Sequence, residues 1–359
     1  MSIWQERMNR VRKKMAGAGL GQLLVTDPLS IYYLTGVDVI PMERFWACLV
    51  KAEGNPILFA NRLFALGDTG LPTVTFGDQD PVAELVAPHL GPGLLGVDKT
   101  LAARFLLPLM AACPKTRMVL GSDCVDAVRA VKDAEEQQRM RRASQINDAC
   151  MEKLAAFIRE GVTEKECARY LAACYEEYGC EGQSFDGIVS FGANAADPHH
   201  GPDGTVIQEG DCIVMDIGCK KDHYCSDMTR TFFWKKAAPE YQKIYEIVRE
   251  ANARAEALVK AGVPLQEIDR AARDVIATAG YGEYFTHRLG HFIGMEDHEQ
   301  GDVSQVNPEP AQAGMIFSIE PGIYLPGRMG VRIEDLVLVT EDGCELLNHV
   351  DKGLRILGV

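Results

Sequence analysis

Along the first nineteen residues apolar positions recur every three or four places. Ile3, Trp4, Met8, Val11 and Met15 stand among charges, which predicts an amphipathic helix with one buried face. The continuous apolar core of a signal peptide is missing from this stretch, so neither a signal segment nor a membrane span is expected. Short apolar runs follow at 22–26, 47–50 and 56–59, bounded by Gly, Pro, Asp and Asn, and their alternation with helical stretches predicts an α/β domain. Gly91-Pro-Gly93-Leu-Leu-Gly96 has the letters of a dinucleotide fingerprint, but the apolar segment 94–97 comes after its first glycines. A phosphate-binding loop needs strand, glycines and helix in that order, so this segment reads as a turn.

The pattern changes at Lys132-Asp133-Ala134-Glu135-Glu136. Asp133 with Glu136 three residues on has the form of a capping box opening a long charged helix, which sets the expected domains at 1–130 and 131–359. Within the second, Arg159-Glu-Gly161-Val-Thr163-Glu-Lys-Glu166 recurs 101 residues later as Lys260-Ala-Gly262-Val-Pro264-Leu-Gln-Glu267, and Gly179 and Gly280 keep that offset. Each copy puts a glycine after one helix, starts the next with Thr163 as cap or Pro264 in the first turn, and stops it at a glycine. An internal duplication into two pseudo-equivalent halves is the expectation.

Each half also carries a hairpin interrupted by acids. The apolar run 211–218 contains Asp216 and the returning run 224–234 contains Asp227; a two-residue turn at Lys221-Asp222 sets the two opposite each other. In the later half, Pro326-Gly327-Arg328 as a three-residue turn sets Glu320 opposite Glu334. Directly opposed residues have Cβ atoms about 4.5–5.5 Å apart. Carboxylates held that close in an apolar setting repel and desolvate one another, so they need a cation or a shared proton. One acidic hairpin is more often a structural pair or a turn, but two in register with a repeat favour metal.

Composition narrows the partners. Lys+Arg 37 against Asp+Glu 51 leaves −14, without the basic footprint that nucleic acid or an anionic membrane requires. The 11 cysteines are scattered and form no CxxC, which fits reduced thiols and a cytoplasmic protein better than a disulfide framework or a thiolate zinc site. His199, His200, His223, His287, His291 and His298 fall within one hundred residues, and that window holds the chemistry. Gly290 and Gly294 allow close backbone approach around His291. Alone it reads as a core histidine; beside four carboxylates it becomes a fifth ligand.

Two divalent cations carry four positive charges, which Asp216, Asp227, Glu320 and Glu334 balance, and a water between them is readily ionised. Oxygen-rich ligation with one imidazole suits Mn²⁺, with Co²⁺, Zn²⁺ or Fe²⁺ as options. HExxH fails because Gln300-Gly301-Asp302 follows His298-Glu299, and no GxSxG occurs.

MDIG at 215–218, SDMTRT at 226–231, GHFIG at 290–294, SIEPGIY at 318–324 and RIED at 332–335 together resemble the pita-bread metallopeptidases, the proline dipeptidases and aminopeptidases P. The resemblance covers the whole chain. It implies an N-terminal creatinase-type α/β domain and a C-terminal α+β pita-bread domain with a pseudo-twofold duplication. It further implies Asp216 and His291 as ligands to different metals, Asp227 and Glu334 as bridges, and Glu320 as a ligand near the reactive water and a proton shuttle. Pro198-His199-His200 resembles the segment whose first histidine contacts the scissile region, and His298 the histidine that stabilises the tetrahedral intermediate. His200 reads as a solvated loop residue, with a substrate-facing role as the alternative, and Arg332, two residues before Glu334 on the same strand face, is expected to pair with a carboxylate or guide a substrate. The implied activity is hydrolysis of the bond between an N-terminal residue and proline, by a homodimer acting on short peptides. Dipeptidase and aminopeptidase P remain alternatives, as do a small non-peptide amide as substrate and a non-catalytic binding paralogue. Gln300-Gly301-Asp302 stands where prolidases often place a proline, a departure that touches the substrate pocket and not the metal ligands.

Overall fold

Ser2 accepts the Gln5 N–H, and the Gln5 side chain bonds back to the Ser2 N–H, a reciprocal cap that starts helix α1 (Ile3–Gly17). Its buried residues, Arg7, Met8, Val11 and Met15, keep the helical spacing. The computed structural model describes residues 2–359 and separates into a unit ending at Arg129 and a unit over Ala130–Val359.

In the first unit, strands β1 (Gln22–Val25), β2 (Ala47–Lys51), β3 (Ile57–Asn61), β4 (Thr73–Phe76), β5 (Gly93–Val97) and β6 (Thr116–Leu120) form one mixed sheet ordered β4-β3-β2-β1-β5-β6. Helices α2 (Pro28–Thr35), α3 (Val82–Val86) and α4 (Ala103–Ala112) lie between them in the chain, and α5 (Asp123–Arg129) follows β6. The α/β pattern of the sequence is thus met. The glycines of 91–96 enter and line β5: Gly93 has φ +104°, and a Cβ on Gly96 would lie 2.8 Å from a Leu23 methyl.

The second unit opens with α6 (Ala134–Phe157), capped reciprocally by Asp133 and Glu136, and continues with α7 (Glu164–Glu177), capped by Thr163. Strands β7 (Gly182–Gln183), β8 (Ile188–Phe191), β9 (Cys212–Ile217), β10 (Cys219–Lys221), β11 (Tyr224–Cys225) and β12 (Met228–Trp234) follow. A second helix pair, α8 (Pro239–Leu258) and α9 (Leu265–Thr278), then precedes β13 (Gly290–Phe292), β14 (Glu299–Val303), β15 (Ile316–Ile319), β16 (Gly322–Leu325), β17 (Met329–Arg332), β18 (Asp335–Val339), β19 (Cys344–Leu346) and β20 (Ile356–Leu357).

The duplication is visible element by element. Helices α7 and α9 start and end 101 residues apart, and α6 and α8 end with the same offset. Each half lays its helix pair on its own sheet, β20-β12-β9-β8 in one and β14-β13-β15-β18-β19 in the other. Met151, Leu154, Leu171, Met215 and Phe232 fill the first core, and Val248, Ile268, Ile276, Phe317 and Val337 the second. One detail differs from expectation: Pro264 is the N-cap of α9, one position before the first turn, because its ψ of 135° is extended. All the cysteines are free, and among the described residues no helix is long and apolar enough to cross a membrane.

A buried ion network ties the strands that carry the acids. Arg230 donates to Asp335 Oδ1 (2.6 Å) and to the Glu334 carbonyl (2.6 Å), while Lys352 contacts Asp335 Oδ2 at 2.8 Å. Burial alone would raise the Asp335 carboxyl, yet the two cations hold it below its ordinary value. Removing it leaves the buried Arg230 guanidinium without its carboxylate, so Asp335→Ala is expected to cost about 3–5 kcal/mol. Urea unfolding reads this directly, and an unchanged midpoint would contradict it.

Candidate metal centre

The first acidic hairpin turns at Asp222-His223, both with positive φ (51° and 68°), and not at Lys221-Asp222. Two consecutive left-handed residues make the turn whose twist matches paired strands. The consequence corrects the expected register: Asp216 pairs with Thr229 and not with Asp227. The shift is two residues, so both carboxylates stay on one face of the hairpin. Asp227 falls in the break between β11 and β12, where Gly218 crosses Ser226; a Cβ on Gly218 would sit 2.2 Å from the Ser226 carbonyl oxygen. Ser226 Oγ accepts the Cys219 N–H and donates to the Cys219 carbonyl, which fixes the chain just before Asp227.

The second hairpin has the expected turn. Gly322 pairs with Arg332 and Leu325 with Met329, leaving Pro326-Gly327-Arg328 as the loop. Ile319 pairs with Asp335 on the far side of the break, so Glu320 and Glu334 face each other between the two ladders. His291 lies on β13 with its N–H on Ser318 Oγ (3.0 Å) and Nδ1 against the Phe292 carbonyl (3.2 Å). An Nδ1–H donating there leaves Nε2 as a free lone pair, the tautomer a metal requires. That Nε2 stands 3.4 Å from Asp227 Oδ2 and 3.7 Å from Glu320 Oε1. A Cβ on Gly290 would lie 1.9 Å from the Ser318 carbonyl oxygen, so only glycine admits this approach.

Burial, joined by the His298 ring, pushes His291 down to about 3, so it stays neutral. Burial pushes Glu320 up to about 8. Asp227 and Glu334 rise well above the carboxylate range, first by desolvation and then by mutual repulsion with the neighbouring acids. Asp216 Oδ1, Asp227 Oδ1 and Glu334 Oε1 are buried without a hydrogen-bond partner. One ligand atom each from Asp227, His291 and Glu334 lies within 4.8 Å of the others. Orphaned carboxylate oxygens around a neutral imidazole fit divalent cations, which would answer the charge that the protein leaves uncompensated.

Arg332 is the one buried cation among them. It pairs with Asp216 and donates to Thr229 Oγ1 (3.0 Å) and to the Tyr324 hydroxyl (2.8 Å). Thr229 Oγ1 in turn donates to Glu334 Oε2 (2.7 Å), and the Tyr324 hydroxyl meets His287 Nε2 at 2.9 Å. The acids sit in a cavity of about 560 Å³ that His199, His298, Arg288 and Asp297 also line. The His298 ring is 3.9 Å from that of His291, and His199 is exposed on the loop after η-turn residues 192–196. His200 is turned away from the cavity and bonds Glu164 Oε2 at 3.0 Å.

Sequence reasoning did not single out Asp297, His287, Tyr324 or Arg288. Asp297 is a further acid beside the four, pushed up to about 7 mainly by burial. Its position beside His298 was the only signal in the chain. Tyr324 and His287 lie at positions that no spacing rule links, since their contact joins β16 to the loop before β13.

Residues 138–341 match metallopeptidase family M24, and residues 7–131 match the creatinase/prolidase N-terminal domain. An uncharacterized peptidase of Staphylococcus aureus strain MSSA476 is 36% identical over 341 residues, covering 91% of this chain and 94% of its own. Among solved structures, a dipeptidase, PepE, from Mycobacterium ulcerans superposes with TM-score 0.93 at 36% identity, covering 99% of this chain and 98% of its own. An Xaa-Pro dipeptidase from Bacillus anthracis does so with TM-score 0.91 at 31% identity, covering 99% of this chain and 100% of its own.

The raised carboxyls set a pH dependence for the metal-stripped protein. A carboxyl whose folded pKa exceeds its unfolded value adds stability at low pH that is lost as pH rises through the folded pKa. The depressed His287 and His291 act in the opposite sense, but only below about pH 6.5, where the unfolded imidazoles take up protons. Between about pH 7 and 9 the chelator-treated protein should therefore melt at progressively lower temperature, and a saturating divalent cation should flatten that slope. A metal-free melting temperature constant across this window would contradict the burial of these acids.

Proposed function

This chain belongs to metallopeptidase family M24, and from that premise we propose that its cavity hydrolyses the bond between an N-terminal residue and proline in a dipeptide. The observation that carries the reading is the convergence of buried, partnerless carboxylate oxygens around a neutral His291 in a cavity of dipeptide size. Asp216, Asp227, His291, Glu320 and Glu334 would hold two divalent cations, with Mn²⁺ suited to so oxygen-rich a set. When bound, such ions polarise the scissile carbonyl and make water nucleophilic at neutral pH.

The chain's own groups supply the remaining steps. Glu320 takes the proton of the attacking water and returns it to the departing proline nitrogen. His199 and His298 reach into the cavity from two loops and donate to the oxyanion. Arg332 stays engaged with Asp216, Thr229 and Tyr324 and so orients the first ligand and, through Thr229, Glu334. Arg288 lines the same cavity and makes no side-chain hydrogen bond or ion pair among the described residues, leaving a cation for the substrate's terminal carboxylate. That cation favours a dipeptide over longer Xaa-Pro peptides. The proline ring suits a site that needs no amide N–H from its substrate.

Apo-protein reloaded with Mn²⁺ is expected to cleave Xaa-Pro dipeptides faster than Xaa-Pro-Yaa tripeptides or dipeptides without proline. Arg288→Gln should raise KM for the dipeptide about tenfold and leave a C-terminally amidated substrate unaffected. Glu320→Gln should lower kcat by roughly 10²–10⁴, and Asp227→Ala should abolish metal retention and turnover together. Full activity in a metal-free Asp227→Ala protein would sink the mechanism, and cleavage of tripeptides alone would reassign the substrate class.

A further inference from the structure

Glu164 opens helix α7 and is fully buried, yet it lies outside the cavity. Its carboxylate accepts four hydrogen bonds. Oε1 takes the Phe191 N–H (2.7 Å) and Asn194 Nδ2 (3.0 Å); Oε2 takes His200 Nε2 (3.0 Å) and the Asp203 N–H (3.0 Å). A carboxylate has about four acceptor sites, so this one is saturated. Asp203 joins Glu164 and His200 with ligand atoms close enough to surround a cation, but a cation there would have to displace N–H donors already bound. The cluster is therefore a staple and not an ion site.

What it staples is the loop that brings His199 into the cavity. The four donors come from the start of that loop at Phe191, from Asn194, from His200 and from its far side at Asp203. Pro198, His199 and Gly201, between these anchors, are the loop residues that line the cavity. The backbone repeats the attachment, with Glu164 N–H on the Thr205 carbonyl and Lys165 N–H on the Asp203 carbonyl. The His199 main chain is tied only to Asp197 Oδ1, within the loop itself. At the opposite edge Arg332 Nη1 reaches the Pro198 carbonyl at 3.4 Å, so the same loop also touches the guanidinium that holds Asp216.

We propose that Glu164 is a positioning residue for the reaction: through the His200 ring and the Asp203 N–H it sets the backbone that aims His199 at the scissile carbonyl. This rests on the reading of the cavity as a peptidase site. Its place in the first turn of α7 helps, because a negative charge there is stabilised by the helix N-terminus. Glutamine cannot replace it, since the amide would turn an N–H₂ toward two of the four donors.

The test uses full-length Mn²⁺-loaded protein with Glu164→Gln and the milder His200→Ala, each also in a His199→Ala background. Glu164→Gln is expected to lower kcat on an Xaa-Pro dipeptide by about 10²-fold, the scale of a small misplacement. KM and bound metal should change less than about twofold. His200→Ala, which removes one bond of four, should cost about tenfold in kcat. In the His199→Ala background both should cost less than about twofold, because residues acting through one another are not additive. Amide exchange over 192–205 should accelerate about tenfold or more in Glu164→Gln while 212–217 stays protected. Equal losses with and without His199, or unchanged exchange over 192–205, would overturn the proposal. Should the wild type cleave no Xaa-Pro peptide, the peptidase reading fails while the exchange measurement still decides whether Glu164 holds this loop. If Glu164→Gln does not fold, His200→Ala in the two backgrounds decides it.

Discussion

Asp216, Asp227, Glu320 and Glu334 converge in one cavity around a histidine kept neutral by burial, and the second unit is organised around that concentration of negative charge. Each buried oxygen needs a donor or a cation. Arg332, Thr229 and Ser318 meet part of the need, and Asp216 Oδ1, Asp227 Oδ1 and Glu334 Oε1 are left without any partner. The protein thus carries an unanswered demand for positive charge at the centre of a packed domain. Local features that look arbitrary follow from it. Gly218 and Gly290 keep side chains out of backbone crossings, so that Asp227 and His291 reach the same small volume.

The duplication explains how so much charge is tolerated. Each half contributes one hairpin with two acids, and each hairpin is covered by its own helix pair and apolar core. Each half also uses a helix-borne acid to hold a loop that carries histidines. Glu164 on α7 holds residues 191–203, and Asp269 on α9 accepts the Leu289 N–H and grips Arg273, which binds the carbonyls of Phe285 and His287. The acids of the centre and His291 are therefore positioned on or between paired strands, and His199 and His287 by loops tied to helices. Paired strands give rigidity where charge must be exact in place, while loops give access from solvent.

Much of this was legible in the chain. The helical spacing of Ile3 to Met15, the Asp133–Glu136 cap and the 101-residue offset are short-range patterns that depend on nothing beyond their own neighbourhood. The turn at Pro326-Gly327-Arg328 was legible for the same reason, with Gly327 accepting a φ of +69°. The turn at Asp222-His223 was not. A histidine with positive φ is uncommon, so the sequence favoured the neighbouring pair, and the register slipped by two. Because strand faces alternate with period two, the error moved Asp227 along the face without removing it from the site.

The sequence by itself determined which acids and histidines were available to a site, two helix-and-hairpin halves, and the net excess of acid; these follow from residue type and local periodicity. Tertiary structure decided the rest. It placed His200 on Glu164 instead of on substrate, paired Arg332 with Asp216 across 116 residues, and brought Asp297 into the cavity beside the four expected acids. Those contacts join segments whose separation in the chain carries no periodic signal. Whether a buried carboxylate is a staple or a ligand depends only on which donors surround it once the chain has folded: Glu164 has four, and Asp227 Oδ1 has none.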